Sequence, residues 1–377
     1  MELAPFAACA AWLPGFHRAS PSTPLDASSY VVGSIGSRFA GFNSAAAIIY
    51  ADEVSAPHSE AAEPLLSSLR STPRRRALVI VNPYATTVSD RLRALVLSAL
   101  ESRFDLDAEA TRERGHATEL AAHAAGAYDL VVALGGDGTV NEVANGLAGS
   151  RTPLTALPGG SANVFCKLLG IPGEIVDATE HLLALADRWR VRAVDLGAVN
   201  GRRYTFSAGV GIDASVVALV DSHPRLKARF GPSFFTAAAC WTFARRYLRQ
   251  PPRIVVRADG AALAGISAVV QNGEHYTYFN DHPIDLAAGA ALDGGTLAGV
   301  VLRRGSLRDV PGLVWRGLSA SREFAGHRQV DAFTTTSSLS VESADGRPVP
   351  LQLDGDYLGE VAVAHFELLP RALSVVC

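Results

Sequence analysis

Cysteine is scarce and scattered in this chain. The four cysteines (Cys9, Cys166, Cys240, Cys377) form no pair at redox or metal-ligand spacing, which excludes a disulfide framework and points to a reduced, cytoplasmic protein. Long apolar runs are missing too, since none reaches the ~18 residues that a transmembrane helix needs. Residues 1–14 are apolar but lack the positively charged start of a secretory signal, so none is read there. Nor is there a surplus of positive charge. Lysine and arginine number 34 against 37 acidic residues, a formal net charge of −3, and a nucleic-acid partner would ask for a basic domain.

What is present is a sizeable core. At 377 residues and 48% hydrophobic composition, the chain exceeds the ~250–300 residues that one core usually serves, so two domains are expected. Residues 1–72 are rich in Ala, Ser and Pro without a sustained period and read as a weakly ordered arm. Residues 73–190 alternate buried-type strands (77–83, 106–111, 129–134) with helical spacing (91–103, 116–125). That is the pattern of a doubly wound α/β nucleotide-binding domain. From 191 to 377 the spacing changes to short strands: 191–199, 202–207, 253–258, 268–271, 296–302, 338–343 and 351–354. Turn signals such as Asn200-Gly201 separate several of them, which predicts a β-sandwich. Residues 234–249 read as a helix, and 361–377 as a strand pair closing either domain.

The stretch Gly135-Gly136-Asp137-Gly138-Thr139-Val140-Asn141-Glu142-Val143 lies between one of these strands and the helical run 140–147. Backbone N–H groups at a helix start lack intrahelical partners and favour an anion, and glycines let the backbone approach it closely. A phosphate fits there. Asp137 would repel a phosphate unless a cation such as Mg²⁺ lay between; the alternative is a plain helix cap. A second loop of the same kind, Pro158-Gly159-Gly160-Ser161-Ala162-Asn163, again joins a strand to a helix. Ligands in such sheets bind at the carboxyl ends of strands, where Asn82, Thr111 and Asp137 fall.

The two loops together resemble the catalytic domain of the bacterial diacylglycerol kinase and sphingosine kinase superfamily. Val81-Asn82-Pro83, Thr111 ahead of Gly115-His116-Ala117, Val194-Asp195-Leu196-Gly197, 208–213 and Leu353-Asp354-Gly355-Asp356 follow in the family's order. The match runs over about residues 76–377. The resemblance implies an α/β domain related to those of NAD kinases and phosphofructokinases, a second β domain, and transfer of the γ-phosphoryl of ATP to a lipid hydroxyl with Mg²⁺. It implies nucleotide contacts from Asn82, Thr111, Gly135, Gly136, Asp137, Gly138, Thr139, Val140, Asn141, Gly160, Ser161 and Asn163. Asp356 would accept the hydroxyl proton, with Asp137 serving Mg²⁺ or the acceptor. Three positions depart from the family pattern: Val164 replaces an acid, the accessory metal loop carries its acid at Asp293, and Tyr278-Phe279-Asn280 replaces small residues.

Diacylglycerol, giving phosphatidic acid, is the acceptor expected first. A small-molecule kinase of the NAD kinase type and a catalytically silent nucleotide-binding regulator are the rival readings. A lipid acceptor implies peripheral contact with a membrane, for which the aromatic and basic stretch 225–249 is the sequence candidate. A homodimer is compatible with the sequence.

Overall fold

The computed structural model describes residues 74–377 apart from 86, 280–281 and 319–323. The arm read over residues 1–72 and the departure at Asn280 lie outside the described residues.

Strands β1 (Arg76–Val81), β2 (Asp105–Ala110), β3 (Leu130–Gly135) and β4 (Leu154–Pro158) run parallel in the order β2-β1-β3-β4. The last two are buried along their whole length, and β1 everywhere but its first residue. Such strands read as continuous apolar runs because helices cover both faces of the sheet. Strand β2 is the exposed edge and carries acids, which discourage edge pairing. Helix α1 (Asp90–Glu101), capped by Ser89 through the Leu92 amide, packs with α5 (Ile175–Leu185). On the opposite face α2 (His116–Ala124) packs with α3 (Asp137–Leu147), as right-handed crossovers require. Helix α5 was not foreseen, although Ile175, Ala178 and Leu182 form its buried stripe. The short α4 (Val164–Leu168) follows the second glycine loop.

Beyond residue 190 come β5 (Val191–Val199), β6 (Arg202–Tyr204), β7 (Ser207–Val210), β8 (Ile254–Ala258), β9 (Ala261–Gly265) and β10 (Ser267–Gln271). They are followed by β11 (Thr277–Phe279), β12 (His282–Ile284), β13 (Leu297–Leu302), β14 (Val330–Thr335), β15 (Ser338–Ser343), β16 (Val349–Leu353), β17 (Asp356–Val361) and β18 (Val363–Val376). One antiparallel sheet has the order β14-β13-β10-β7-β16-β17. It packs on β18-β15-β8-β9 over a core of Tyr204, Val210, Val256, Val270, Val301, Val341 and Phe366. This is the sandwich the strand spacing predicted.

The closing segment corrects the expected strand pair. Strand β18 is a single strand that pairs with β15 and β5 and then reaches β4 in parallel at Val375 and Leu154. Its one irregularity, between Leu369 and Leu373, is held where the Arg371 amide donates to Asp195 Oδ1 at 2.7 Å. The parallel strands and one layer of the sandwich therefore belong to one ten-stranded sheet. Helix α6 (Ile212–Asp221) leads into α7 (Pro224–Thr242), which starts ten residues before the helix read from sequence. Helix α7 bends at Gly231 (φ 44°) and ends in a π-turn over Phe243–Tyr247. Helix α8 (Val310–Leu318) lies beside β12.

Candidate active site

Strand β3 gives way to α3 at Gly136, which is extended and offers no side-chain cap. The first amides of α3 are thus left open to an anion, with the positive end of the helix behind them. Asn82, just past β1, donates from Nδ2 to Thr139 Oγ1 at 3.0 Å. Thr139 in turn packs so closely on Gly135 that a Cβ there would lie 2.6 Å from its hydroxyl. The second loop meets the first backbone to backbone. The Gly159 amide donates to Gly135 O at 2.9 Å, and a Cβ on Gly160 would stand 2.7 Å from Gly136 Cα. Asn163, left-handed at φ 48°, closes this loop by accepting from the Gly160 amide and donating to its carbonyl. Ser161 stays exposed.

Asp137 caps a helix, but not its own. Its Oδ1 accepts the Phe165 amide at 3.0 Å, so the first glycine loop holds the start of α4 behind the second. Burial pushes its carboxyl up to about 6, and the Asp354 charge adds to this. The backbone N–H groups of Phe165, Val164 and Asn163 oppose the rise.

Asp356 arrives from the far end of the chain. It opens β17 after a turn in which Asp354 (φ 47°) and Gly355 (φ 84°) are both left-handed. Its Oδ2 lies against Gly138, where a Cβ would come within 3.1 Å, and Arg114 Nη2 donates to its Oδ1 at 3.3 Å. The carboxylate is about one-third exposed, so solvent and ligand can reach it.

Two buried networks fix that turn. Asp354 accepts from Asn141 Nδ2 (2.8 Å), from the Thr205 amide and hydroxyl (2.6 and 2.8 Å), and from the amides of Phe206 and Ser207. Gln352 accepts the Gly355 amide at 2.8 Å while donating to Asp213 Oδ2 at 2.6 Å. The other oxygen of Asp213 takes the Tyr276 hydroxyl. Burial raises the carboxyl of Asp354 despite its donors, and raises that of Asp213 despite Tyr276 and Gln352.

Comparison with known proteins agrees with this geometry. Residues 76–199 match the model of the diacylglycerol kinase catalytic domain. A diacylglycerol kinase of Bacillus subtilis is 38% identical over 143 residues, covering 36% of this chain and 46% of its own length. A diacylglycerol kinase of Staphylococcus saprophyticus is 27% identical over 300 residues, covering 76% of this chain and 91% of its own. The crystal structure of a diacylglycerol kinase from Bacillus anthracis shares the fold, with a TM-score of 0.61 at 23% identity, over 81% of this chain and 98% of that one. Over residues 76–199 the chain is similar to the catalytic domain of diacylglycerol kinases, and over most of its length it shares the fold of the Bacillus anthracis structure. That similarity supports a phosphotransferase, with ATP as the donor.

The residues named from sequence divide in two. Asn82, Gly135, Gly136, Gly138, Thr139, Gly160, Ser161, Asn163, Asp137 and Asp356 gather around the paired loops. Thr111 ends the neighbouring strand, its amide bonded to Val81 O at 2.8 Å. The side chains of Val140 and Asn141 are engaged inside the fold. Val140 is a core side chain, and Asn141 is spent on Asp354 and on Arg203 O. Asp293 is engaged by Arg192 (2.9 Å), so a cation there would first have to displace a guanidinium. Among the described residues no cluster of three His, Cys, Asp or Glu side chains forms a metal centre. The loop that follows Asp293 is pinned by the Gly295 amide on Asp195 Oδ2 at 2.8 Å.

Sequence reasoning missed Asp354, Gln352, Asp213 and Glu142. Glu142 accepts the amides of Gly115 and Ala117 at 3.0 and 3.2 Å and so caps α2 from α3. Apart from the bond between Gln352 and the Gly355 amide, these contacts leave no local signal, because their partners are distant in the chain. The basic run 74–76 is accounted for by Arg75 lying over Trp189 and Arg76 over Tyr128 beside Asp105 and Asp107.

Proposed function

We propose that this chain transfers the γ-phosphoryl group of ATP to the hydroxyl of a membrane lipid, with diacylglycerol as acceptor and phosphatidic acid as product. The observation that supports the reading most is the approach of the Asp356 carboxylate to Gly138, at the helix start whose amides are open to phosphate. In the reaction Asp356 accepts the proton of the acceptor hydroxyl, whose oxygen takes the γ-phosphoryl group as the bond to ADP breaks. Arg114 holds the carboxylate in place from the opposite loop. Phosphoryl transfer rests on positioning and charge neutralisation; the paired glycine loops and the α3 amides serve the first. Mg²⁺ bound with the nucleotide would supply the second, and Asp137 and Asp356 are the carboxylates of this site available to it.

The choice of diacylglycerol comes from the names of the Bacillus and Staphylococcus relatives. The acceptor is to be met at a bilayer surface, since no helix among the described residues is long and apolar enough to cross one. The test is transfer of labelled phosphate from ATP to diacylglycerol, monoacylglycerol, sphingosine, ceramide and a polyprenol in mixed micelles. Labelled phosphatidic acid, lost with Asp137→Ala and Asp356→Ala, is the expected result. A different labelled lipid would change the acceptor, and no labelled lipid despite ATP binding would overturn the reading.

A further inference from the structure

We propose that the face made by Leu307, Val314 and Trp315, flanked by Arg304 and Arg308, is where this protein rests on an anionic lipid bilayer. The inference rests on the lipid kinase reading only in taking a bilayer as the place where the acceptor is met. Helix α8 is two-faced. Leu313 packs inward with Phe324 and Tyr276, whereas Pro311, Val314 and Trp315, at i, i+3 and i+4, face outward. Trp315 is 66% exposed, Leu307 63% and Val314 48%. A single exposed leucine means little. Three large apolar side chains in one short segment are a patch.

The charges around the patch decide its occupant. Arg303 is neutralised by Asp331, and Arg328 by the buried Asp309. Arg304 and Arg308 remain exposed and form no ion pair among the described residues. An otherwise slightly acidic chain thus presents tryptophan, aliphatic side chains and two free arginines on one face. Tryptophan favours the headgroup region, and arginine is drawn to anionic lipid. A second copy of the chain docked symmetrically would bring the same arginines together instead.

A relay of contacts joins this face to the second glycine loop. Helix α8 touches β12, and its hairpin partner β11 carries Tyr278, whose ring sits under Lys167 Nζ at 4.7 Å. Lys167 belongs to α4, the helix that Asp137 caps. The stretch 225–249, nominated from sequence, serves less well. Phe230 and Trp241 are exposed there, but Phe234 and Tyr247 are buried, Phe235 packs on α6, and Lys227 pairs with Asp221.

The test measures co-sedimentation with phosphatidylcholine vesicles, with and without phosphatidylglycerol and without ATP. It compares wild type, Trp315→Ala, the pair Arg304→Glu/Arg308→Glu and the control pair Arg245→Glu/Arg246→Glu. Phosphorylation of a short-chain, water-soluble diacylglycerol by the same preparations reports on an intact site. Phosphatidylglycerol should promote binding. The arginine pair should weaken it at least tenfold, Trp315→Ala about tenfold, and the control pair by less than twofold. Activity on the soluble lipid should stay within twofold throughout. Wild-type binding by the first two variants, or loss of binding by the control, would overturn the inference. So would a wild-type dimer in gel filtration that Trp315→Ala dissociates, because the face would then be a subunit contact. If no lipid is phosphorylated while binding still depends on this face, the lipid kinase reading fails and the docking face stands.

Discussion

Asp137 and Asp356 are both acids beside the same glycine loop, yet their surroundings give them different duties. Asp137 is half-buried, caps α4 and has its carboxyl pushed up to about 6 from an ordinary value of 3.8. Between those values the folded protein holds a proton that the unfolded chain has lost. Stability should therefore fall as pH rises from about 4 to about 6, by up to about 3 kcal/mol, and stay level above. Urea denaturation of wild type and Asp137→Asn at stepped pH checks this, and parallel curves would refute it. Asp356 is reachable and free to act, but only if its turn is fixed. Gln352 is a positioning residue for it, joined to Asp213 on one side and to the Gly355 amide on the other. Replacing it with methionine keeps the volume and removes both bonds. The expected result is a kcat about tenfold lower with KM for ATP within twofold, since misplacing a reacting group affects the chemical step. The sequence displayed the glycines and both acids of the site. It could not display the roles of Gln352 and Asp354, which bond to Asp213 and Asn141 more than a hundred residues away.

Among the elements, the joint between α2 and α3 carries the first loop. Glu142 caps α2 through two amides, and Gly146 lets the helices approach so closely that a Cβ would lie 2.4 Å from Thr118 O. Glu142→Ala should cost about 2 kcal/mol, from two lost hydrogen bonds at a helix start. Gly146→Ala should cost about 1–3 kcal/mol, from overpacking that neither backbone can relieve. Chemical denaturation measures both, and a change under 0.5 kcal/mol in either would contradict the description of this joint. Apolar runs and turn residues made most elements legible, β5 at its observed bounds. They failed where a side chain overrules the backbone. The strand expected over 202–207 breaks because the amides of Thr205, Phe206 and Ser207 turn to the Asp354 carboxylate. In 225–249 the aromatic spacing divides between the two readings it allowed, with Phe234 and Phe235 in a helix core and Phe230 and Trp241 exposed.

The molecule as a whole is tied together by its last strand. Strand β18 pairs with β4 of the parallel region and with β15 of the sandwich, so the two halves share one sheet rather than meeting across a linker. Deleting residues 363–377 should abolish folding of both halves, leaving no cooperative transition in calorimetry; a stable α/β half would contradict the shared sheet. Periodicity separated an α/β half from a β half correctly. It could not reveal the sharing, because pairing between strands far apart in the chain is set by register in space. The central claim is that the distant Asp356 completes a phosphoryl-transfer site at the first glycine loop. Its most direct test follows ATP binding and phosphatidic acid formation together, in wild type and in Asp356→Asn. The account predicts equal ATP affinity and a transfer rate at least about a hundredfold lower in the variant. Transfer at the wild-type rate by Asp356→Asn would contradict it.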